Sequence, residues 1–245
     1  MRFLIGVDDT DNLESRGTGY HARTLGEILL ATGGLARGIT RHQLLVDPRI
    51  PYTSHNSSAC LDVDAAECDF DAILTECRRF LQTASAPGSD AGLCLARWSA
   101  VTDAAQEFGR AAKRVVLTTQ HAFDIAKQID ATLEGLTGTG GGVIGALAGV
   151  GLRASGNDGR FLWTKGIREV SGVWTAAELC AQTGIEEIQT LEGACVHTRA
   201  RIALSEWVRP LLREGKAILI VEEEKGHDDY EWRVAAKEIV KQHSN

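Results

Sequence analysis

The chain has 245 residues, 44% hydrophobic and 24% charged, with 26 Lys and Arg against 33 Asp and Glu for a formal net charge of −7. This balance excludes disordered, coiled-coil and collagen-like classes, and the length suffices for one large core or two modest ones. No apolar run reaches the roughly 18 to 20 residues of a membrane span, and the N-terminus turns acidic too early for a signal peptide; a cytoplasmic protein is expected.

Phe3 to Val7 reads as a buried strand opening into the acidic loop Asp8-Asp9-Thr10-Asp11. Leu25, Ile28 and Leu29 recur at helical spacing and predict a helix over about 18–30, with Gly33-Gly34 as its stop. A strand is predicted from Gln43 to Val46, then an extended loop through Pro48 and Pro51, because each proline fixes its own φ and disfavours helix before it. Residues 57–63 read as strand, 70–81 as amphipathic helix, 86–90 as loop, 92–98 as strand and 102–114 as helix. A further helix is predicted over about 119–133.

Gly135 to Gly151 holds eight glycines in seventeen residues, and its second half, Val143 to Val150, predicts a tightly packed helix. Asn157-Asp158-Gly159 signals a hairpin into Phe161-Leu162-Trp163. Thr175 and Glu178 form a capping-box pattern, Lys216 to Glu222 a strand, and Tyr230 to Lys241 a strand followed by helix. The alternation predicts α/β (α+β) layering. Six cysteines show no C-x-x-C pair, which fits neither a zinc ribbon nor a disulfide framework; Cys60, Cys94 and Cys195 read as small buried hydrophobes.

Asp8, Asp9 and Asp11 put three mutually repelling carboxylates within four residues at a strand end. Mg²⁺ would offset that charge while leaving positions for phosphate oxygens; a solvated turn in which Asp9 or Asp11 caps the next helix is the competing reading. Nearby, Arg16, Gly17 and Thr18 offer a cation, a flexible backbone and a hydroxyl at a helix start, where backbone N–H groups hold anions, although Thr18 also suits a plain N-cap. Gly140-Gly141-Gly142 with Gly145 matches G-x-G-x-x-G formally. The dinucleotide fingerprint needs a strand immediately before it, whereas residues 119–134 read as helix, so that site is rejected. The glycines then serve either approach to phosphates or close helix packing. The acidic balance argues against broad nucleic-acid binding and leaves room for a local patch among Arg37, Arg41 and Arg49, or Arg199, Arg201, Arg209 and Arg213; a solvated face is the alternative.

Taken together, these segments resemble the archaeal agmatidine synthetase family, which makes 2-agmatinylcytidine in a minor isoleucine tRNA. Its opening G-[IV]-D-D-T-D is matched by Gly6-Val7-Asp8-Asp9-Thr10-Asp11, and its threonine before a tyrosine and helix by Thr18-Gly19-Tyr20. Its N-P-x-I-P-W and R-G-N-[AG]-A segments are echoed by Asp47 to Tyr52 and His55-Asn56-Ser57-Ser58-Ala59, and its glycine stretch by Gly141 to Gly151. The resemblance implies a kinase-like α/β domain and a ferredoxin-like α+β domain, here divided at 1–115 and 116–245. It implies that Asp8, Asp9 and Asp11 organise Mg²⁺ and ATP; Thr10, Arg16, Gly17 and Gly140 to Gly142 are expected around the nucleotide from the reading of the residues themselves. It also places Thr18 where that family phosphorylates itself. His55, Asn56 and Ser57, the polar residues after the proline loop, are expected at the acceptor, with capping of the loop the other role open to His55 and Asn56.

The family's arginine-glycine-asparagine patch has become Ser54-His55-Asn56, and Gly141 stands where the glycine stretch carries an arginine. With no C-x-x-C pair in these residues, no counterpart of the family's OB and zinc-ribbon modules is expected in them. A shortened homologue is expected that activates a small-molecule or nucleoside acceptor with ATP, a tRNA substrate being disfavoured and a homo-oligomer left open. Two other readings are a haloacid-dehalogenase-like phosphohydrolase, whose D-x-D-x-[TV] pattern meets Leu13 at its last position, and a nucleotide-binding regulatory module without turnover.

Overall fold

The computed structural model describes residues 1–31, 35–53 and 55–244. The expected Gly33-Gly34 helix stop and Ser54 lie outside them. Strand β1 (Arg2–Asp8) is apolar on both faces because both are covered: Phe3, Ile5 and Val7 join one core, Leu4 the other. Helix α1 (Thr18–Ala31) follows, then β2 (Leu35–Gln43), β3 (Ser57–Asp64), α2 (Phe70–Ala84) and β4 (Gly92–Arg97). Next come α3 (Asp103–Ala111), α4 (Thr119–Gln128), β5 (Thr132–Gly135), α5 (Val143–Ser155) and β6 (Arg160–Trp163).

Helices α1 and α2 pack Leu25, Leu29, Leu74 and Leu81 against one face of the sheet. On the other, α3, α4 and α5 contribute Phe108, Ile125 and Leu147. Three layers result, with α5 lying flush on the strands. A Cβ on Gly6 would fall 1.9 Å from the Ala146 carbonyl oxygen, and one on Gly151 would fall 2.0 Å from that of Ala105. Within the G-x-G-x-x-G segment the packing reading fits Gly142, where a Cβ would fall 2.3 Å from the Asp90 carbonyl oxygen, whereas Gly141 has no atom nearer than 3.5 Å.

The remainder is β7 (Val173–Thr175), α6 (Ala176–Gln182), β8 (Glu187–Gln189), β9 (Arg201–Ala203), β10 (Leu211–Arg213), β11 (Lys216–Glu223), β12 (Trp232–Val234) and α7 (Lys237–His243). One open sheet runs β5-β4-β1-β3-β2-β6-β10-β11-β12-β9-β7, with β8 pairing β11. From β5 to β11 every ladder on that path is antiparallel. The mixed α/β architecture agrees with the sequence reading. Thr175 Oγ1 and Glu178 close the expected capping box. Thr175→Ala should cost about 1 kcal/mol of stability, read as a lower midpoint at unchanged slope in urea unfolding.

Four expectations are corrected. The strand placed at Gln43 to Val46 ends at Gln43 and lies earlier, at Leu35–Gln43. Its inward Thr40 and His42 hid it, since they are buried polar groups satisfied by each other at 2.8 Å and, for His42 Nδ1, by Asp158 at 2.9 Å. The helix expected to reach 133 stops at Gln128; Asp130 takes φ 49°, and Thr132–Gly135 turns back as an edge strand on β4. A strand therefore does precede the glycines, but it is antiparallel to its neighbour, so no parallel βαβ unit and no dinucleotide fold arise. Asn157-Asp158-Gly159 links a helix, not a strand, to β6. Cys195 is exposed, whereas Cys60 and Cys94 are buried as expected. Among the described residues no helix is long and apolar enough to cross a membrane.

Candidate functional site

Where β1 ends, the chain borders a cavity of about 230 Å³. Asp8, Asp9, Asp11 and Thr18 line one side; His55, Asn56 and Ser57 line another; Gly141 and Gly142 border it from the start of α5. Segments far apart in sequence thus meet at one place. Thr10, Arg16, Gly17 and Gly140 do not line it. Thr10 is fully buried, its hydroxyl 3.1 Å from Thr18 Oγ1 and 2.8 Å from His21 Nδ1. Arg16 instead stacks over Tyr20, 4.4 Å from the ring centroid.

The acidic loop divides its labour. Asp11 is a clamp: Oδ1 accepts the Thr18 N–H at 3.1 Å and the Thr18 hydroxyl at 2.7 Å, and Oδ2 accepts the Thr53 hydroxyl at 2.9 Å. It ties the start of α1 to the proline loop, so the capping reading holds for this residue. Asp8 and Asp9 have no cationic partner among the described residues. Burial, and then the charges of Asp9 and Asp11, raise the Asp8 carboxyl to about 8. Burial, then Asp90 and Asp11, raise Asp9 to about 6. Asp9 also adopts φ 50°, a left-handed conformation that Asp tolerates better than most residues. Two crowded, desolvated carboxylates at a cavity are what a cation would relieve.

Their fit to Mg²⁺ is specific in kind. Among the described residues no three His, Cys, Asp or Glu side chains form a group able to hold a metal ion. Mg²⁺ is commonly held by one or two carboxylates with waters and substrate phosphates, and Asp8 with Asp9 meets that requirement without a protein cage. Gly145 makes room for it: a Cβ there would lie 1.6 Å from Asp8 Oδ2. The start of α5, the positive end of its dipole, lies beside that carboxylate, with the Gly142, Val143 and Ile144 N–H groups already given to the carbonyls of Asp90, Gly140 and Gly141.

Residues not singled out in the sequence complete the walls. Asp90 accepts the backbone N–H and, at 2.8 Å, the hydroxyl of Thr139, and its carbonyl accepts the Gly142 N–H at 3.0 Å, which pins the glycine loop. Val115, Val116, Leu117 and Ile144 supply an apolar side. Asn56 lines the cavity with its amide donating to the Leu45 carbonyl at 2.6 Å, and Ser57 Oγ accepts from Arg41 Nε at 2.9 Å. An Asp inside a Pro-Gly-Ser loop carries no local signal of such a role; only the fold brings it to the glycines.

No family model and no curated protein matches the chain. Solved structures do. Apo TiaS, a tRNA agmatidine synthetase, is 23% identical at a TM-score of 0.53, with 62% of this chain and 35% of that one covered. A tRNA fluorescent labelling enzyme is 26% identical at 0.55, covering 62% and 36%. TiaS in complex with its tRNA and ATP is 24% identical at 0.55, covering 62% and 36%. The chain thus matches about a third of the length of these proteins. Over 62% of its residues, this chain has the fold of agmatidine synthetase structures, as the resemblance of its motifs implied.

Proposed function

We propose that the cavity binds ATP with Mg²⁺ and activates an acceptor by phosphoryl transfer. The observation that carries this reading is the pair Asp8 and Asp9, raised in pKa and without a cationic partner among the described residues, lining one cavity together with the glycine start of α5. Mg²⁺, when bound, would neutralise phosphate charge there. The chain's own groups do the rest. Gly141, where a Cβ would meet nothing nearer than 3.5 Å, allows phosphates close to the backbone, and the apolar wall at Val115 to Leu117 suits a base. Phosphoryl transfer is largely positioning and charge neutralisation, and these are the properties the cavity offers.

Thr18 is the internal acceptor in this reading. Its hydroxyl donates to Asp11 at 2.7 Å, so Asp11 takes the proton as Thr18 Oγ bonds to the γ-phosphorus and the bridge to ADP breaks. His55, Asn56 and Ser57 border the same space and would meet the external acceptor, a small or nucleoside-type molecule. The likeness to a TiaS complex with ATP supports the nucleotide assignment.

The test combines calorimetry with product analysis. Wild-type protein should bind ATP at least tenfold more tightly with Mg²⁺ than without, and Asp9→Asn should remove that difference. Labelled ATP should yield ADP and phosphate on Thr18 by mass spectrometry, absent in Thr18→Val. Equal affinity with and without Mg²⁺ would overturn the metal assignment. Hydrolysis of simple phosphomonoesters without ATP would favour the phosphohydrolase, and binding with no product would favour a regulatory module.

A further inference from the structure

The β2–β6 register places Arg41 directly opposite Arg160. Directly opposed residues of an antiparallel ladder share a face at about 5 Å, and like charges there are destabilising. Arg160 is 6% exposed and Arg41 is half-buried, so solvent screens them poorly. Elsewhere this molecule places a carboxylate beside arginines in such surroundings. Arg2 and Arg153 converge on Asp62, each at 2.6 Å, and even the exposed Arg49 pairs with Asp47 at 2.8 Å. Neither Arg41 nor Arg160 has an acidic ion-pair partner among the described residues; their hydrogen bonds go to the hydroxyls of Ser57 and Ser244, both at 2.9 Å.

More positive charge gathers beside them. Arg160, Arg209 and Lys237 stand 6.0, 5.8 and 6.0 Å from the Trp207 ring centroid. Burial, followed by repulsion from neighbouring arginines, lowers both Arg160 and Arg209 to about 10. Asp11, the carboxylate whose charge reaches Arg41, is already engaged by Thr18 and Thr53, so in a chain of net charge −7 this excess of cations marks a place where an anion from outside completes the electrostatics. Through Arg41 and Ser57 the cluster adjoins the cavity.

We propose that Arg41 and Arg160, backed by Arg209 beside Trp207, hold a phosphate group, and that the external acceptor is a phosphorylated small molecule whose reactive end enters the cavity. Arginine guanidinium suits this role because its planar donors match phosphate oxygens in pairs. The anion site stands on the arginine geometry alone; assigning its phosphate to the acceptor rests on the reading of the cavity as an activation site.

Inorganic phosphate is the probe, with the full chain, against chloride at matched ionic strength. Phosphate should raise the unfolding midpoint of wild type beyond chloride, and Arg41→Gln and Arg160→Gln should each weaken phosphate binding about tenfold to a hundredfold, as expected for charge-assisted bonds. Arg41→Gln should unfold no earlier than wild type without ligand, because a repulsive pair is removed. The absence of a phosphate-specific shift in wild type, or equal binding by wild type and Arg41→Gln, overturns the proposal. Asp9→Asn should keep phosphate binding while losing Mg²⁺-dependent ATP binding; loss of both would place the phosphate in the ATP site and overturn a separate one. Failure of wild type to bind ATP at all, with phosphate binding intact, would instead remove only the activation reading. Displacement of phosphate by nucleoside 5′-monophosphates supports a small acceptor, and displacement solely by an oligoribonucleotide overturns that choice.

Discussion

Gly145→Ala should leave the protein folded and cost at least tenfold in Mg²⁺-ATP affinity. The added methyl would sit 1.6 Å from Asp8 Oδ2 and 2.5 Å from its carboxyl carbon, so the Asp8 side chain must rotate away. The atom displaced is the end of a short side chain, not backbone, and the fold can absorb the shift. Alanine is also favoured over glycine inside a helix by about 1 kcal/mol, which offsets part of the clash. The two effects have opposite signs on the two readouts: thermal stability near or above wild type, binding well below it. Asp8→Ala combined with Gly145→Ala should bind no more weakly than Asp8→Ala alone, because the glycine matters only through that carboxylate. Wild-type affinity in Gly145→Ala, measured by calorimetry, would remove Asp8 from the nucleotide site.

Stability should fall as pH rises from about 4 to about 8 in the absence of divalent cation. Asp8 and Asp9 are held above the ordinary carboxylate value of 3.8, at about 8 and about 6. The native state therefore binds more protons than the unfolded chain in this window. Stabilisation from the protonated groups is fully present below the unfolded pKa and is lost as pH rises through the folded ones. One pKa unit corresponds to about 1.4 kcal/mol, and about 2–4 °C of midpoint accompanies each kcal/mol at this chain length; a change of at least about 5 °C is expected. Asp8→Asn should flatten the profile and exceed wild type at pH 8. Mg²⁺ with ATP should flatten it as well, by stabilising the ionised carboxylates. A wild-type midpoint that rises over the same range would contradict the crowding derived from the geometry.

In the acidic loop the hydrogen bonds of a helix cap fall to Asp11, and under the proposed function the metal falls to Asp8 and Asp9. Asp11 spends both oxygens on Thr18 and Thr53, which orders the loop. Asp8 accepts the backbone N–H of Asp9, and both carboxylates border the cavity with no cationic partner among the described residues. Sequence crowding announced the charge, and the fold divided the roles.

Local pattern carried much of this protein. The apolar run from Phe3 to Val7, the helical spacing of Leu25, Ile28 and Leu29, the Thr175–Glu178 capping box and the glycine-rich helix are short-range physics, and each was legible in the chain. The same holds for the acidic loop as the place of interest. What the sequence could not contain is register. Whether β5 runs parallel or antiparallel to β4, which arginine faces Arg41, and that Asp90 anchors the glycine loop all depend on partners tens of residues away. Strand β2 was misplaced for a related reason: Thr40 and His42 look like loop residues until Asp158, more than a hundred positions later, satisfies His42 inside the core. Periodicity reports which side chains share a face. Only the tertiary structure decides which charges meet across it.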